Sequence, residues 1–161
     1  MSGTSKLVIK HLIRMIKITG VKFDTIVFMG ISGSLVAPIV AQKMNKHLLV
    51  ARKLGENNHS CMRLEGHIDS HKFIIIDDLI STGDTIKAIF EAIDESVKKS
   101  PGNLSVDNCQ GIFLYNGYKE FGNRHITLNS GKTISVPYYS LCMEGDPLGL
   151  TYFMGKEIKD L

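Results

Sequence analysis

The sequence predicts an α/β domain: a mainly parallel sheet with helices on its faces. Three observations predict it. First, the chain twice runs strand, short loop, helix. Thr25–Met29 is apolar and β-rich, Gly30-Ile31-Ser32-Gly33-Ser34 is a small loop, and Val36, Ile39, Val40 and Met44 follow at helical spacing. Phe73–Ile76 repeats the strand, and Ile86, Ile89, Phe90, Ile93 and Val97 repeat the helical face. Second, these strands are continuously apolar rather than alternating, as strands of a parallel sheet covered on both faces are. Third, 161 residues, 43% hydrophobic and 22% charged, suit one domain with a substantial core.

From the N-terminus, residues 5–18 read as an amphipathic helix. Leu7, Val8, Leu12, Met15 and Ile16 form its apolar face, and Lys6, Lys10, Arg14 and Lys17 lie mostly elsewhere. Thr19-Gly20 ends it. The first 23 residues contain no acid, a trait shared with transit peptides, but the apolar face favours a helix packed on the domain. After the first strand, Pro38 is tolerable only near a helix start, so the helix should begin just before it. The hydroxyl-rich loop ahead of it suits a backbone anion site. His47–Ala51 is a third strand, and Arg52-Lys53 follows directly, placing two cations at a strand end beside the same pocket. Residues 54–71 are polar and weakly patterned, as a lid or flexible hairpin is. His59 and Arg63 are the cationic candidates in its middle; an ordinary exposed histidine accounts for His59 equally well. The helix of residues 84–99 ends in the turn cluster 98–103, and Gln110–Tyr115 is a further strand. From Asn116 onward the alternation of strand and helix stops, and the chain becomes rich in Gly and Tyr.

Composition sets the compartment and partners. A net charge of +3 and a pI near 8.7 fit an anionic small ligand and are too weak to argue for nucleic acid. No apolar run approaches a membrane span. Cys61, Cys109 and Cys142 are scattered and odd in number, which points to a reducing cytoplasm rather than a disulfide framework. Two glycosylation sequons, at Asn58 and Asn103, are expected by chance in such a chain.

The stretch from Phe73 to Thr85 carries the chemistry. Asp77 and Asp78 sit at the carboxyl end of a strand, where α/β proteins bind ligands. Ser81, Thr82 and Thr85 offer hydroxyls, Gly83 permits close backbone approach, and a helix begins there. A helix start has free N–H groups and partial positive charge, which suit a phosphate. Acids so close to a phosphate suit a neighbouring diol, a Mg2+ ion, or positive charge forming on carbon. A sugar phosphate combines both requirements. Three other motifs are excluded. A nucleophile elbow would need Gly at Ser34, and a dinucleotide fingerprint would need Gly at Ser32. Gly131-Lys132-Thr133 would need an earlier Gly where Ile126 stands.

The same stretch closely resembles the phosphoribosyl-pyrophosphate (PRPP) motif of type I phosphoribosyltransferases: apolar strand, two acids, three small or apolar residues, then Thr-Gly-x-Thr/Ser. Asp77, Asp78, Thr82, Gly83 and Thr85 all fall on it, and the resemblance covers about residues 25–115. It implies a Rossmann-like core, Mg2+, and transfer of phosphoribose from PRPP to a nucleobase with release of pyrophosphate, as in nucleotide salvage. It implies catalytic roles for Asp77 and Asp78, on the ribose hydroxyls directly or through Mg2+. Ser81, Thr82, Gly83, Asp84 and Thr85 would hold the 5′-phosphate. Ile31, Ser32, Gly33 and Ser34 with Arg52 and Lys53 would hold the pyrophosphate, in a loop that in the family often contains a non-proline cis peptide. The 54–71 loop would fold over the reaction centre. A small hood over the base would come from the chain ends, about residues 1–20 and 116–161, within a single domain. Homodimers are common in the family.

Departures from the family pattern narrow the base. Ser81 stands where the hypoxanthine/guanine branch has Asp, and Asp78 stands where the uracil branch has Pro, leaving orotate- or adenine-type use. Asp84 is unusual, because a carboxylate facing the phosphate would weaken binding unless it turns to solvent on the first helical turn. The competing reading is a PRPP-sensing regulator that keeps the site without base transfer. A degenerate, non-catalytic subunit is disfavoured by the intact acids and Arg-Lys pair.

Overall fold

The apolar runs pair side by side into one seven-stranded sheet in a computed structural model of the chain. It describes residues 3–55, 63–78, 80–116 and 121–141, with short strands at 152–153 and 156–157. The elements are α1 (Gly3–Thr19), β1 (Thr25–Met29), α2 (Gly30–Met44), β2 (His47–Ala51), β3 (Leu64–Gly66), β4 (Phe73–Asp77), α3 (Asp84–Lys99), β5 (Cys109–Leu114), β6 (Phe121–Thr127) and β7 (Thr133–Ser140). Tyr152–Phe153 (β8) and Lys156–Glu157 (β9) pair as a separate two-stranded hairpin. The sheet order is β3-β2-β1-β4-β5-β7-β6. Five central strands are parallel, and β3 and β6 are antiparallel edges.

This order explains the uninterrupted hydrophobicity of the strands. Alternate residues of a strand face opposite sides. Ile26, Phe28, Ile74 and Ile76 pack with Leu12, Met15 and Ile16 of α1 and Val36, Ala37 and Val40 of α2. Val27, Met29, Phe73 and Ile75 pack on the other side with Ile86, Ile89, Phe90 and Ile93 of α3. Every residue of β1 and β4 is buried. Each fully buried isoleucine or phenylalanine contributes roughly 1.5–3 kcal/mol.

From β1 the chain crosses through α2 to β2 on one side, and from β4 through α3 to β5 on the other. Crossovers of one hand running in opposite directions put α2 and α3 on opposite faces. They leave a crevice between the carboxyl ends of β1 and β4, the switch point where α/β sheets bind ligands.

The structure corrects three expectations about the elements. Helix α2 begins at Gly30, so the expected loop of residues 30–34 is its first turn and Pro38 lies well inside. Gly30, at φ +71°, turns the chain in one residue, so no longer loop is needed. In α1, Leu7 is 39% exposed and Ile9 is buried in its place. The short strand β3 was not foreseen; it pairs with β2 over three residues. Within residues 121–140, β7 runs parallel to β5 and extends the main sheet with β6. Ile9, Leu12, Met15 and Ile16 of α1 belong to the core on one sheet face. No helix among the described residues is long and apolar enough to cross a membrane.

Candidate functional site

The crevice at the switch point is a cavity of about 290 Å3 lined from three directions. The end of β1 and first turn of α2 supply Met29, Gly30, Ile31 and Ser32. Lys53 enters from beyond β2. The end of β4 and the start of α3 supply Asp77, Asp78 and residues 80–86.

Asp77 closes β4 on the side of Phe73 and Ile75, and it is only 5% exposed. Its Oδ1 accepts the Asp78 backbone N–H at 2.9 Å. Burial pushes its carboxyl up to about 6; the Asp78 N–H pulls it down, the Asp78 carboxylate pushes it up, and Lys53 pulls it down. A buried carboxylate so placed favours a positive partner. Asp78 is half-exposed at the cavity wall, and its carbonyl accepts the Asn116 N–H at 2.8 Å.

Beyond the acids, the chain enters α3 through Gly83, whose φ of +89° is open to glycine without strain. Ser81 and Thr82 are exposed and Thr85 is half-buried, all on the cavity wall. The N-cap Gly83 has no side chain to offer, so beyond the Asp84 N–H the first-turn N–H groups of α3 are left open to a ligand. Asp84 is exposed and accepts the Thr82 hydroxyl at 2.7 Å, while its own N–H donates to that hydroxyl at 3.2 Å. Its carboxylate therefore borders the cavity and ties up the threonine.

The other expected residues divide. Ile31, 80% exposed, and Ser32 line the cavity. Gly33 is buried against Phe28, and the Ser34 hydroxyl donates to the Ile31 carbonyl at 2.7 Å; neither lines the cavity. All peptide bonds among the described residues are trans. Lys53 lines the cavity with the acids, but Arg52 pairs with Glu65 of β3 at 2.6 Å. The unforeseen strand β3 accounts for this, because it brings an acid beside the end of β2. Arg63, a cationic candidate of the 54–71 loop, is held against α3 by Glu95 at 2.9 Å. His59 lies outside the described residues.

Tyr115, just beyond β5, had no motif to mark it. Its hydroxyl donates to the Ser32 carbonyl at 2.8 Å, and its N–H donates to the Asp77 carbonyl at 3.2 Å. Burial pushes the phenol up to about 12, helped by the Asp78 and Asp77 charges. One residue thus braces the first turn of α2 against the acids. A neighbouring cavity of about 200 Å3 places Lys87, Arg124 and His125 on the far side of residues 82–84. Long-range pairing of β6 brings Arg124 and His125 there, which no local signal reveals.

Two curated relatives are similar to part of this chain. Adenine phosphoribosyltransferase of Petrotoga mobilis is 34% identical over 95 residues, covering 50% of this chain and 55% of the relative. Orotate phosphoribosyltransferase of Sulfolobus acidocaldarius is 30% identical over 97 residues, covering 60% and 49%. The chain spans about half the length of the curated relatives it matches. No family model matches the chain. Among solved structures, the adenine phosphoribosyltransferase of Saccharomyces cerevisiae aligns with a TM-score of 0.46 at 23% identity, covering 68% of each chain. The orotate phosphoribosyltransferase of Francisella tularensis aligns at 0.45 and 22%, covering 71% of this chain and 52% of that one.

Proposed function

We propose that the chain is a Mg2+-dependent phosphoribosyltransferase that transfers phosphoribose from PRPP to an adenine- or orotate-type base and releases pyrophosphate. The observation that carries this reading is the shared cavity. It combines an acid pair, buried Asp77 and half-exposed Asp78, with the hydroxyl-rich start of α3 in one cavity. The two curated relatives, one acting on adenine and one on orotate by name, support the same choice of bases.

On this reading the first turn of α3 holds the 5′-phosphate through Ser81, Thr82, Gly83 and Thr85, and binding energy there positions the sugar. Asp77 and Asp78 face the ribose hydroxyls and stabilise positive charge growing on the ring as the bond to C1 loosens. Ile31, Ser32 and Lys53 border the departing pyrophosphate, and Lys53 balances its charge. Gly33, Ser34 and Arg52 act at one remove, by shaping that turn and the sheet edge.

The donor set fits Mg2+. Asp77 and Asp78 offer hard carboxylate oxygens, and the described residues contain no cluster of three or more metal-ligating side chains. Two carboxylates leave the remaining positions to water and ligand oxygens, the usual arrangement for this ion. When bound, Mg2+ supplies positive charge beside the hydroxyls and the leaving group.

The test is pyrophosphate release from PRPP with Mg2+ against adenine, orotate, guanine, hypoxanthine, xanthine and uracil. Release that depends on adenine or orotate, with its nucleotide appearing in step, is expected. Binding of PRPP without release for any base would replace transfer with PRPP sensing.

A further inference from the structure

Away from the switch point, α1 and α2 enclose a groove of about 670 Å3. Its cations are Lys6, Lys10, Arg14 and Lys17 along α1, with Lys43 from α2. The first four recur at steps of three and four, so they form one row about 16 Å long. Among the described residues none of the five is in an ion pair. The whole chain carries +3, so everything outside these five nets −2. The basic character of the protein is concentrated here.

Between the cations the groove is floored by Ile9, Ile13 and Ile39. Ile9 is 3% exposed, and Ile13 and Ile39 are half-buried against the core. We propose that this groove docks an acidic amphipathic helix of a partner protein. Such a helix would lay an apolar stripe on the isoleucines and set carboxylates against the cations on both sides.

The geometry disfavours other occupants. A second copy would bring the same five cations against these five. A bilayer needs protruding apolar side chains, and these are recessed. A nucleic-acid strand would use the cations, but it has no use for an aliphatic floor, and among the described residues no aromatic side chain lines the groove for base stacking. This inference does not depend on the reaction assigned to the switch-point cavity.

The experiment is fluorescence anisotropy with the full chain. The probe is a labelled 16-residue helical peptide with leucines at steps of three and four flanked by glutamates. Saturable binding that weakens with salt is expected. Lys10→Glu with Lys43→Glu, both at exposed positions, should weaken it at least tenfold with an unchanged melting temperature. Ile13→Ser should weaken it too, whereas the same peptide with lysines for glutamates should not bind. Absence of saturable binding, or equal binding by the charge-reversed variant, would overturn the proposal. So would a labelled 20-nucleotide single strand that binds more tightly than the peptide and ignores Ile13→Ser.

Discussion

Asp77, to which we assign a role on the ribose, is a residue that works against the fold that holds it. Its carboxyl sits near 6 in the folded chain against 3.8 unperturbed, mainly because it is buried. The folded state therefore holds this proton more tightly than the unfolded chain does. Stability from it is present below about pH 4 and is lost as pH rises through 6, costing on the order of 2–3 kcal/mol at pH 7. Asn in its place keeps the Oδ1 acceptor for the Asp78 N–H without the charge. Asp77→Asn should raise the melting temperature at pH 7 by several degrees, keep it unchanged near pH 4, and abolish transfer. Thermal melts at the two pH values and an activity assay check this; a lower melting temperature at pH 7 would contradict it. Asp84 makes the opposite case. It keeps the Thr82 hydroxyl occupied and sets a negative charge at the mouth of the proposed phosphate site. Asp84→Asn should lower KM for PRPP several-fold with kcat little changed, while losing about 0.5 kcal/mol of favourable interaction with the helix start. A steady-state titration of PRPP would show the split, and a higher KM would mean that the carboxylate serves the ligand.

At the scale of elements, the site depends on how α2 leaves β1. A methyl group at Gly33 would stand 2.7 Å from Phe28 Cβ, and a Cβ cannot swing aside as a side-chain tip can. Gly33→Ala should therefore push the first turn of α2 away from β1, costing about 1–3 kcal/mol and raising KM for PRPP. Chemical denaturation and kinetics would measure the two effects. Tyr115 holds the same turn from the other side. Tyr115→Phe keeps the ring and loses the bond to the Ser32 carbonyl, so KM for PRPP should rise and kcat should change little. Equal values for wild type and variant would show that the turn stands without the brace. Local sequence foretold some of these elements closely and others poorly, for physical reasons. The spacing of Ile86, Ile89, Phe90 and Ile93 foretold α3 as residues 84–99, because one amphipathic face decides it. The start of α2 was misplaced because Pro38 signals a helix start, whereas the packed face of α2 outweighs the one backbone bond it removes. β3 escaped notice because three residues, two of them polar or Gly, carry no period; only pairing with β2 makes them a strand.

For the molecule as a whole, the site is a consequence of topology. Chain order puts Ile31 and Asp77 46 residues apart, yet Ile31 lies just past β1 and Asp77 ends β4, and the two strands are parallel neighbours. The sequence shows each half as a strand–loop–helix unit, and so points to the acids, residues 81–85 and Lys53, which line one cavity. It could not show that Arg52 would be taken by Glu65, that Arg63 would be held by Glu95, or that β7 would join β5 in parallel, because each needs a partner distant in sequence. A ligand that spans the crevice touches elements from both faces of the sheet, so its binding should stabilise the entire domain rather than one loop. At a concentration a hundred times its dissociation constant, PRPP with Mg2+ should add about 2.7 kcal/mol. For a domain of this size that raises the melting temperature by roughly 5–10 °C. The double variant Asp77→Asn, Asp78→Asn should melt at or above the wild-type temperature without ligand and lose most of that increment with it. Pyrophosphate alone should still give a smaller shift, since it needs only Lys53 and the first turn of α2. If the double variant keeps the full PRPP shift, the acids do not bind the sugar, and the ligand rests on the phosphate loops alone.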